Sequence, residues 1–199
     1  YLTLDSLTNR YCLGPSMMKA GYLMASHSDL VRFARPFLDM LVGETSETAV
    51  LTTWSNECTV TLDYALTPLP FKPYVRVGQP LTDLHNAHTQ VYLAFLPSQE
   101  RTLIIARTVE TGIDGQPIQP AALERRLDKV RLEGVAYDLE ERMQGVCAIA
   151  APAFDAHGGV KATLGIIAPS ERFKAAIGSY AIPLKEAARS LSAQLGNQE

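Results

Sequence analysis

The sequence predicts an α+β fold: an antiparallel sheet with helices packed on its faces. Three observations lead there. Strand-like and helix-like segments follow the order helix, strands, helices, strand pair, helix, which does not alternate as a doubly wound parallel sheet requires. The two clearest β regions each come as a pair of period-two runs joined by a short turn. With 199 residues, 47% of them hydrophobic and 20% charged, the chain has the composition of an ordinary globular domain.

The elements follow in order. "YLTLDSLTNRYCLGP" places strand-like residues on both sides of "SLTN" before a Gly-Pro stop, and reads as a short hairpin or tail. "SHSDLVRFARPFLDMLVG" is an amphipathic helix with Leu30, Phe33, Phe37, Leu38 and Leu41 on one face. Ser26 with Asp29 caps its start, Gly43 ends it, and Pro36 kinks it. Val50, Thr52 and Trp54, then Val60, Leu62 and Tyr64, alternate around a turn at Ser55-Asn56-Glu57, which makes a hairpin. The proline-rich stretch "TPLPFKPYVRVGQPL" is a loop leading into a short strand at residues 74–77. "LHNAHTQVYLAFLP" is a loop entering a helix, and "SQERTLIIAR" is another short helix. "TGIDGQPIQ" is a turn. "PAALERRLDKVRLEG" is a helix bounded by Pro120 and Gly134, burying Leu123, Leu127 and Val130. "VAYD" is a short strand, and two long strands follow at 146–154 and 160–168. "LKEAARSLSAQLG" closes the chain as a helix whose buried stripe is Leu184, Ala188, Leu191 and Leu195.

Composition limits function. A net charge of −3 gives no basic surplus for nucleic acid and no acidic tail. Three cysteines, an odd number far apart in sequence, fit a reducing cytoplasm better than a disulfide framework. No apolar run reaches the ~18 residues of a membrane span, and no signal peptide is present. A chain opening on Tyr1 rather than Met reads as a piece of a longer protein.

The chemistry-bearing residues concentrate in "EERMQGVCAIAAPAFDAHGG". Cys147 sits inside an apolar strand, where a thiol is packing. Glu140 and Glu141 beside Arg142 read as a solvated turn, and Asp155 and His157 precede two glycines in a hairpin turn. No G-x-S-x-G, P-loop, G-x-G-x-x-G or H-E-x-x-H motif occurs. His85 and His88, spaced H-x-x-H, leave a metal reading open, with Asp138 and Glu140 as further ligands of a metal-dependent enzyme or metal-binding domain.

The stretch "GVAYDLEERMQGVCAIAAPAFDAHGGVKATLGIIAPSERF" resembles the effector-binding domain of the isocitrate lyase regulator (IclR) family of bacterial transcription factors. "VGQPLTDLHNAHTQVYLAFL" is similar to the family's pocket loop and following helix, and residues 1–20 resemble the exit of its winged helix, so that 21–199 form the effector-binding domain. The resemblance implies a GAF-like curved antiparallel sheet flanked by helices, no enzymatic activity and no cofactor. It also implies a homodimer or homotetramer in the cytoplasm, without membrane attachment. Operator DNA would be reached only through an N-terminal winged-helix domain lying outside this chain.

The resemblance also implies a pocket for a small organic acid on the concave face. Backbone N–H groups of Ala87 and His88, flanked by Asn86 and Thr89, fall where the family binds an effector carboxylate. Asp138 falls on a pocket aspartate, Ala148 on a pocket cysteine, Gly165 and Ile167 on pocket serines, Leu81 on a lid contact and Val146 on a wall position. Residues 71–84 would close over the ligand, and the 146–168 hairpin would form the floor. Loss of the two serines and the presence of His88 shift the expected ligand toward a larger, more apolar acid, aromatic acids included. A pocket filled by side chains, in a domain that only mediates oligomerisation, is the remaining reading.

Overall fold

A computed structural model of the chain describes residues 1–111 and 118–197. The turn expected at "TGIDGQPIQ" has its residues 112–117 outside the described residues.

Strands β1 (Leu2–Asp5) and β2 (Arg10–Leu13) form an isolated antiparallel hairpin. Pro15 then starts helix α1 (Pro15–His27), where the sequence suggested a stop. Proline at the first helical position has no N–H to lose, so the same residue that punctuates a strand opens a helix. Helix α2 (Asp29–Thr45) begins two residues later than expected. Its cap is Ser28, whose hydroxyl accepts the N–H of Val31, and not Ser26. It runs through Pro36 and past Gly43, and ends where Ser46 takes a left-handed conformation at φ 57°.

Strands β3 (Thr48–Ser55) and β4 (Cys58–Ala65) form the expected hairpin. Asn56 and Glu57 both have positive φ, which gives the two-residue turn whose twist matches that of the strands. Residues 74–77 are not a strand. The edge of β4 is taken instead by the chain just beyond them: Gly78 N–H donates to Thr61 O, Thr61 N–H to Gln79 O, and β5 (Pro80–Leu81) pairs with Thr59 and Val60. Helices α3 (Ala87–Phe95), α4 (Ser98–Thr111) and α5 (Pro120–Glu133) follow, and Gly134 closes α5 at φ 71°. Strand β6 (Ala136–Leu139) leads to the hairpin of β7 (Val146–Phe154) and β8 (Val160–Pro169). Asp155 builds that turn, its Oδ1 accepting the N–H groups of His157 and Gly159. Helix α6 (Ser170–Gln194) starts fourteen residues before the expected helix. It passes through Pro183, and its buried Phe173, Tyr180, Leu184, Ala187, Ala188 and Leu191 hold it on the sheet against the missing hydrogen bond.

The six-stranded sheet has the order β5-β4-β3-β8-β7-β6, every neighbouring pair antiparallel. Strand alternation sends Leu51, Cys147, Ile149, Leu164 and Ile166 to one face, against Leu38 and Leu41 of α2 and Leu184 and Leu191 of α6. Truncating one of these buried leucines to alanine costs about 2–5 kcal/mol. The other, concave face carries Ala136, Ala148 and Ala150 against α3, α4 and α5. Cys147 and Ala148 therefore point to opposite faces, and Cys147 is core packing.

Candidate functional site

Register fixes what the concave face offers. Across the sheet run three rows: Asp138, Ala148 and Ile167; then Ala136, Ala150, Gly165 and Val50; then Pro152, Thr163 and Thr52. The middle row is small at Ala150 and Gly165, and α3 crosses above it. A Cβ on Gly165 would lie 2.5 Å from Cε1 and 2.6 Å from Nε2 of His88, and 2.8 Å from the carbonyl oxygen of Ile149. Glycine is what lets the imidazole rest on the sheet. The two departures from the expected pocket, His88 and Gly165, are thus one packing arrangement.

Beside this contact lies a cavity of about 190 Å³. Val50, Thr61, Val146, Ala148 and Ile167 of the strands form one wall, and Asn86 and His88 close its α3 side. Pro73, Tyr74, Val75, Gln79 and Leu81 cover it from the 66–81 segment, and Asp138, Arg142 and Met143 stand at the β6 end. The covering segment is tied at several points: Thr67 N–H donates to Thr48 Oγ1, and Arg172 donates to Phe71 O at 3.0 Å. Arg172 is itself held by Glu47, which is almost wholly buried, through two bonds of 2.5 and 2.8 Å. A groove of about 670 Å³ between α6 and the β7–β8 turn, with Lys185, Arg189, Ser192 and Asn197 in its lining, is larger but more open.

Seven of the ten expected ligand residues line the cavity: Leu81, Asn86, His88, Asp138, Val146, Ala148 and Ile167. The other three stand behind it. Ala87 is fully buried in the helical core, Thr89 bonds Thr59 Oγ1 and Leu81 O, and Gly165 lies under His88. The N–H groups of His88 and Thr89 are already engaged, donating to Asn86 Oδ1 at 2.9 and 3.3 Å. Asn86 is the cap of α3, and its side chain takes one of the two N–H groups, that of His88, expected to meet a ligand carboxylate.

Electrostatics divide the cavity. Burial, with a smaller contribution from the charge of Arg142, pushes the His88 imidazole down to about 3, so it is neutral at physiological pH. Its Nδ1 lies 2.5 Å from Thr163 Oγ1 and 3.4 Å from Thr52 Oγ1. Burial raises the Asp138 carboxyl to about 6, against the lowering effect of the N–H groups of Arg142 and Glu141, which it accepts at 3.3 and 3.1 Å. Arg142 is the cation of the lining, with its Nε 3.6 Å from Asp83. Glu140 and Glu141 are not a loose solvated pair. Glu140 binds Lys174 of α6 and accepts Gly145 N–H. Burial pulls Glu141 up, but Arg126 and His85 outweigh it and hold the carboxyl below its ordinary value.

The metal reading finds no ligand set. His85 Nδ1 faces Glu141, His88 Nδ1 faces threonines and Asp138 caps a turn. Among the described residues no group of three or more His, Cys, Asp or Glu is placed to hold a metal ion. Tyr74, Val75 and Gln79 come from the 71–84 segment expected to cover the ligand, whereas Val50, Thr61, Arg142 and Met143 are lining residues that sequence reasoning missed.

A curved antiparallel sheet with helices on both faces, a capped α3 and an enclosed cavity on the concave side define a GAF-like effector domain. The model of the family described as "Bacterial transcriptional regulator IclR C-terminal" matches residues 22–193, and the chain belongs to this family. It is 30% identical to the HTH-type transcriptional regulator BhcR of Paracoccus denitrificans, over 94% of this chain and 68% of that protein. It is 29% identical to the HTH-type transcriptional regulator KdgR of Escherichia coli, over 98% of this chain and 75% of that one. Among solved structures, Thermotoga maritima IclR superposes with a TM-score of 0.82 at 26% identity, covering 98% of this chain and 80% of its own. Pseudomonas aeruginosa HmgR does so with a TM-score of 0.76 at 27% identity, over 100% and 79%. The chain is thus the ligand-responsive domain of a transcriptional regulator and not an enzyme. Regulators of this type bind ligand and DNA through separate domains. No helix among the described residues is long and apolar enough to cross a membrane.

Proposed function

We propose that this domain senses a small organic acid of about single-ring size in the concave cavity, and that binding alters how the regulator engages operator DNA. The observation that carries this reading is an enclosed, mostly apolar space of about 190 Å³ with one cation, Arg142, at its rim. A dry cavity of ~150 Å³ holds benzene, so this one has room for a ring with a short substituent. Leu81, Val146, Ala148 and Ile167 contact the apolar body, Arg142 pairs with the carboxylate, and Asn86, His88 and Asp138 supply polar contacts. Ala87, Thr89 and Gly165 hold these groups in place. An anion arriving beside Asp138 further disfavours its ionised form, so binding takes up a proton and weakens as pH rises above about 6.

The rest of the reading follows the family. Residues 1–20 are the exit of a winged-helix DNA-binding domain and 21–199 the sensor, in a cytoplasmic homodimer or homotetramer. Exposed Leu2, Leu4, Tyr11, Leu13 and Met18 in the first two strands and α1 support an association surface there. Calorimetry and thermal shift against aliphatic and aromatic carboxylates test the sensor reading. We expect micromolar binding by at least one monocyclic acid, weakened about tenfold or more in Arg142→Met. Binding unaffected by that change rules out the assigned carboxylate partner.

A further inference from the structure

We propose that the groove between α6 and the open end of β7 is a second binding site, separate from the concave cavity, for an amphipathic acid with a body of about two rings.

The groove exists because β6 is shorter than β7. The two strands pair from Leu139 and Cys147 to Ala136 and Ala150, and on the α5 side of Ala136 the chain leaves the sheet at Gly134. Ala151–Phe154 of β7 therefore have no strand on that side. Helix α6 flanks this edge on one face and Phe95, at the end of α3, on the other, around a space of about 670 Å³.

A bare strand edge invites another strand, but this one is closed to it. Val146 N–H donates to Met143 O and Phe154 N–H to Ser192 Oγ, so the even-numbered residues of β7 turn their backbone groups away from β8. Between Ala150, which pairs with Ala136, and Phe154, which is held by Ser192, the outward residue is Pro152. Proline has no N–H, so the edge offers an incoming chain no donor. The space suits a ligand held by side chains.

Those side chains define its chemistry. The rings of Phe95 and Phe154 meet edge to face at 5.1 Å, beside Pro152 and Ala188, and give an apolar floor. The rim is one stripe of α6, with Lys185, Ala188, Arg189 and Ser192 at i, i+3, i+4 and i+7. Ser192 is satisfied, because its hydroxyl accepts Phe154 N–H and donates to Ala188 O. Asn197 donates to Asp155 O. The two cations are not neutralised. Lys185 Nζ is 3.5 Å from the carbonyl of Glu133, whose carboxylate pairs with Lys129, and Arg189 has no hydrogen bond or ion pair among the described residues. No carboxylate lines the groove. Like charges one helical turn apart repel, and an anion between them relieves the repulsion. An aromatic floor beside two uncompensated cations selects an acid with a large apolar body. Size separates the two sites: a two-ring acid exceeds the concave cavity of about 190 Å³ and fits within about 670 Å³.

The probes are biphenyl-4-carboxylate, its neutral counterpart biphenyl-4-methanol, and inorganic phosphate. Calorimetry gives their dissociation constants on the wild-type chain, on Arg189→Glu and on the Lys185→Glu, Arg189→Glu double variant, and amide nitrogen–proton spectra locate the site. Both side chains are exposed, so reversing their charge leaves the core intact. We expect the carboxylate to bind about tenfold or more tightly than the alcohol or phosphate, and to weaken about tenfold or more in the double variant, with Arg189→Glu between. Amide shifts fall on residues 151–154 and 185–192. Undiminished binding by the double variant, equal binding of the alcohol, or no binding at millimolar probe overturns the inference. Phosphate binding as tightly as the carboxylate overturns it too, by reducing the rim to a plain anion patch. Shifts confined to the concave lining also overturn it. None of these results bears on single-ring acids at Arg142, so the sensor reading stands or falls separately.

Discussion

Replacing Gly165 by alanine places one methyl group where the structure has none to spare. The new Cβ meets His88 Cε1 and Nε2 at 2.5 and 2.6 Å and Ile149 O at 2.8 Å, whereas carbon packs at ~3.5–4.0 Å. The imidazole cannot swing away freely, because Nδ1 is held by Thr163 and Thr52 and the ring is walled in by the core. Overpacking of this kind costs about 1–3 kcal/mol, and two contacts short by about 1 Å put Gly165→Ala at the upper end. His88→Ala alone removes the ring and takes the Nδ1 partner from the two threonines, costing about 1–2 kcal/mol. In the double variant the clash with the ring is gone, while the contact with the Ile149 carbonyl stays. The double variant is therefore less destabilised than the sum of the singles by about 1–2 kcal/mol. Urea denaturation of the four proteins, followed by Trp54 fluorescence, measures the cycle. Additivity within about 0.5 kcal/mol would refute the claim that Gly165 exists to seat His88.

Other perturbations read neighbouring parts of the site. Asp138 titrates near 6 in the fold against 3.8 as a free side chain, so the fold holds the protonated acid more tightly than the unfolded chain does. Its contribution is largest below pH 4 and is lost as pH rises through about 6, amounting to about 3 kcal/mol. Asp138→Asn should flatten the fall in stability between pH 4 and pH 7 by up to that amount. Identical pH profiles for the two proteins, by urea titration, contradict the assigned shift. Arg172→Met leaves Glu47, 2% exposed, without its bidentate partner and frees the Phe71 carbonyl of the covering segment. The expected loss is about 3–5 kcal/mol, largely recovered in a Glu47→Met, Arg172→Met double variant; a loss under 1 kcal/mol in the single variant contradicts it.

How much of this was legible in the sequence depended on the range of the interaction. Strand alternation put Cys147 and Ala148 on opposite faces, and turn chemistry marked Asp155 as the organiser of a hairpin; both are local effects, and the structure has both. The boundaries at Pro15, Gly43 and Pro183 were misread because those residues carry two meanings, helix start or stop, and tertiary packing decides which. The burial of Phe173 and Tyr180 carries α6 through a proline that local rules treat as a break. Similarly, the strand expected at residues 74–77 lost the edge of β4 to the chain at Gly78–Leu81, a competition that no local pattern reports. Arg142 was hidden for a related reason. It follows an acid pair in a turn and has no periodicity, and only the fold of the β6–β7 connection brings it to the cavity.

That connection gives the site its reach. Asp138 Oδ1 accepts the N–H groups of Glu141 and Arg142, so the end of β6 and the cavity cation form one hydrogen-bonded unit. The next side chains leave it in opposite directions. Glu141 pairs with Arg126 of α5 on the concave side, and Glu140, in a left-handed conformation at φ 66°, pairs with Lys174 of α6 on the other. A non-glycine residue stays in that conformation only where its surroundings hold it, and here Lys174 and Gly145 N–H do so. Any ligand that moves Arg142 or protonates Asp138 therefore acts on a short loop anchored to helices on both faces of the sheet.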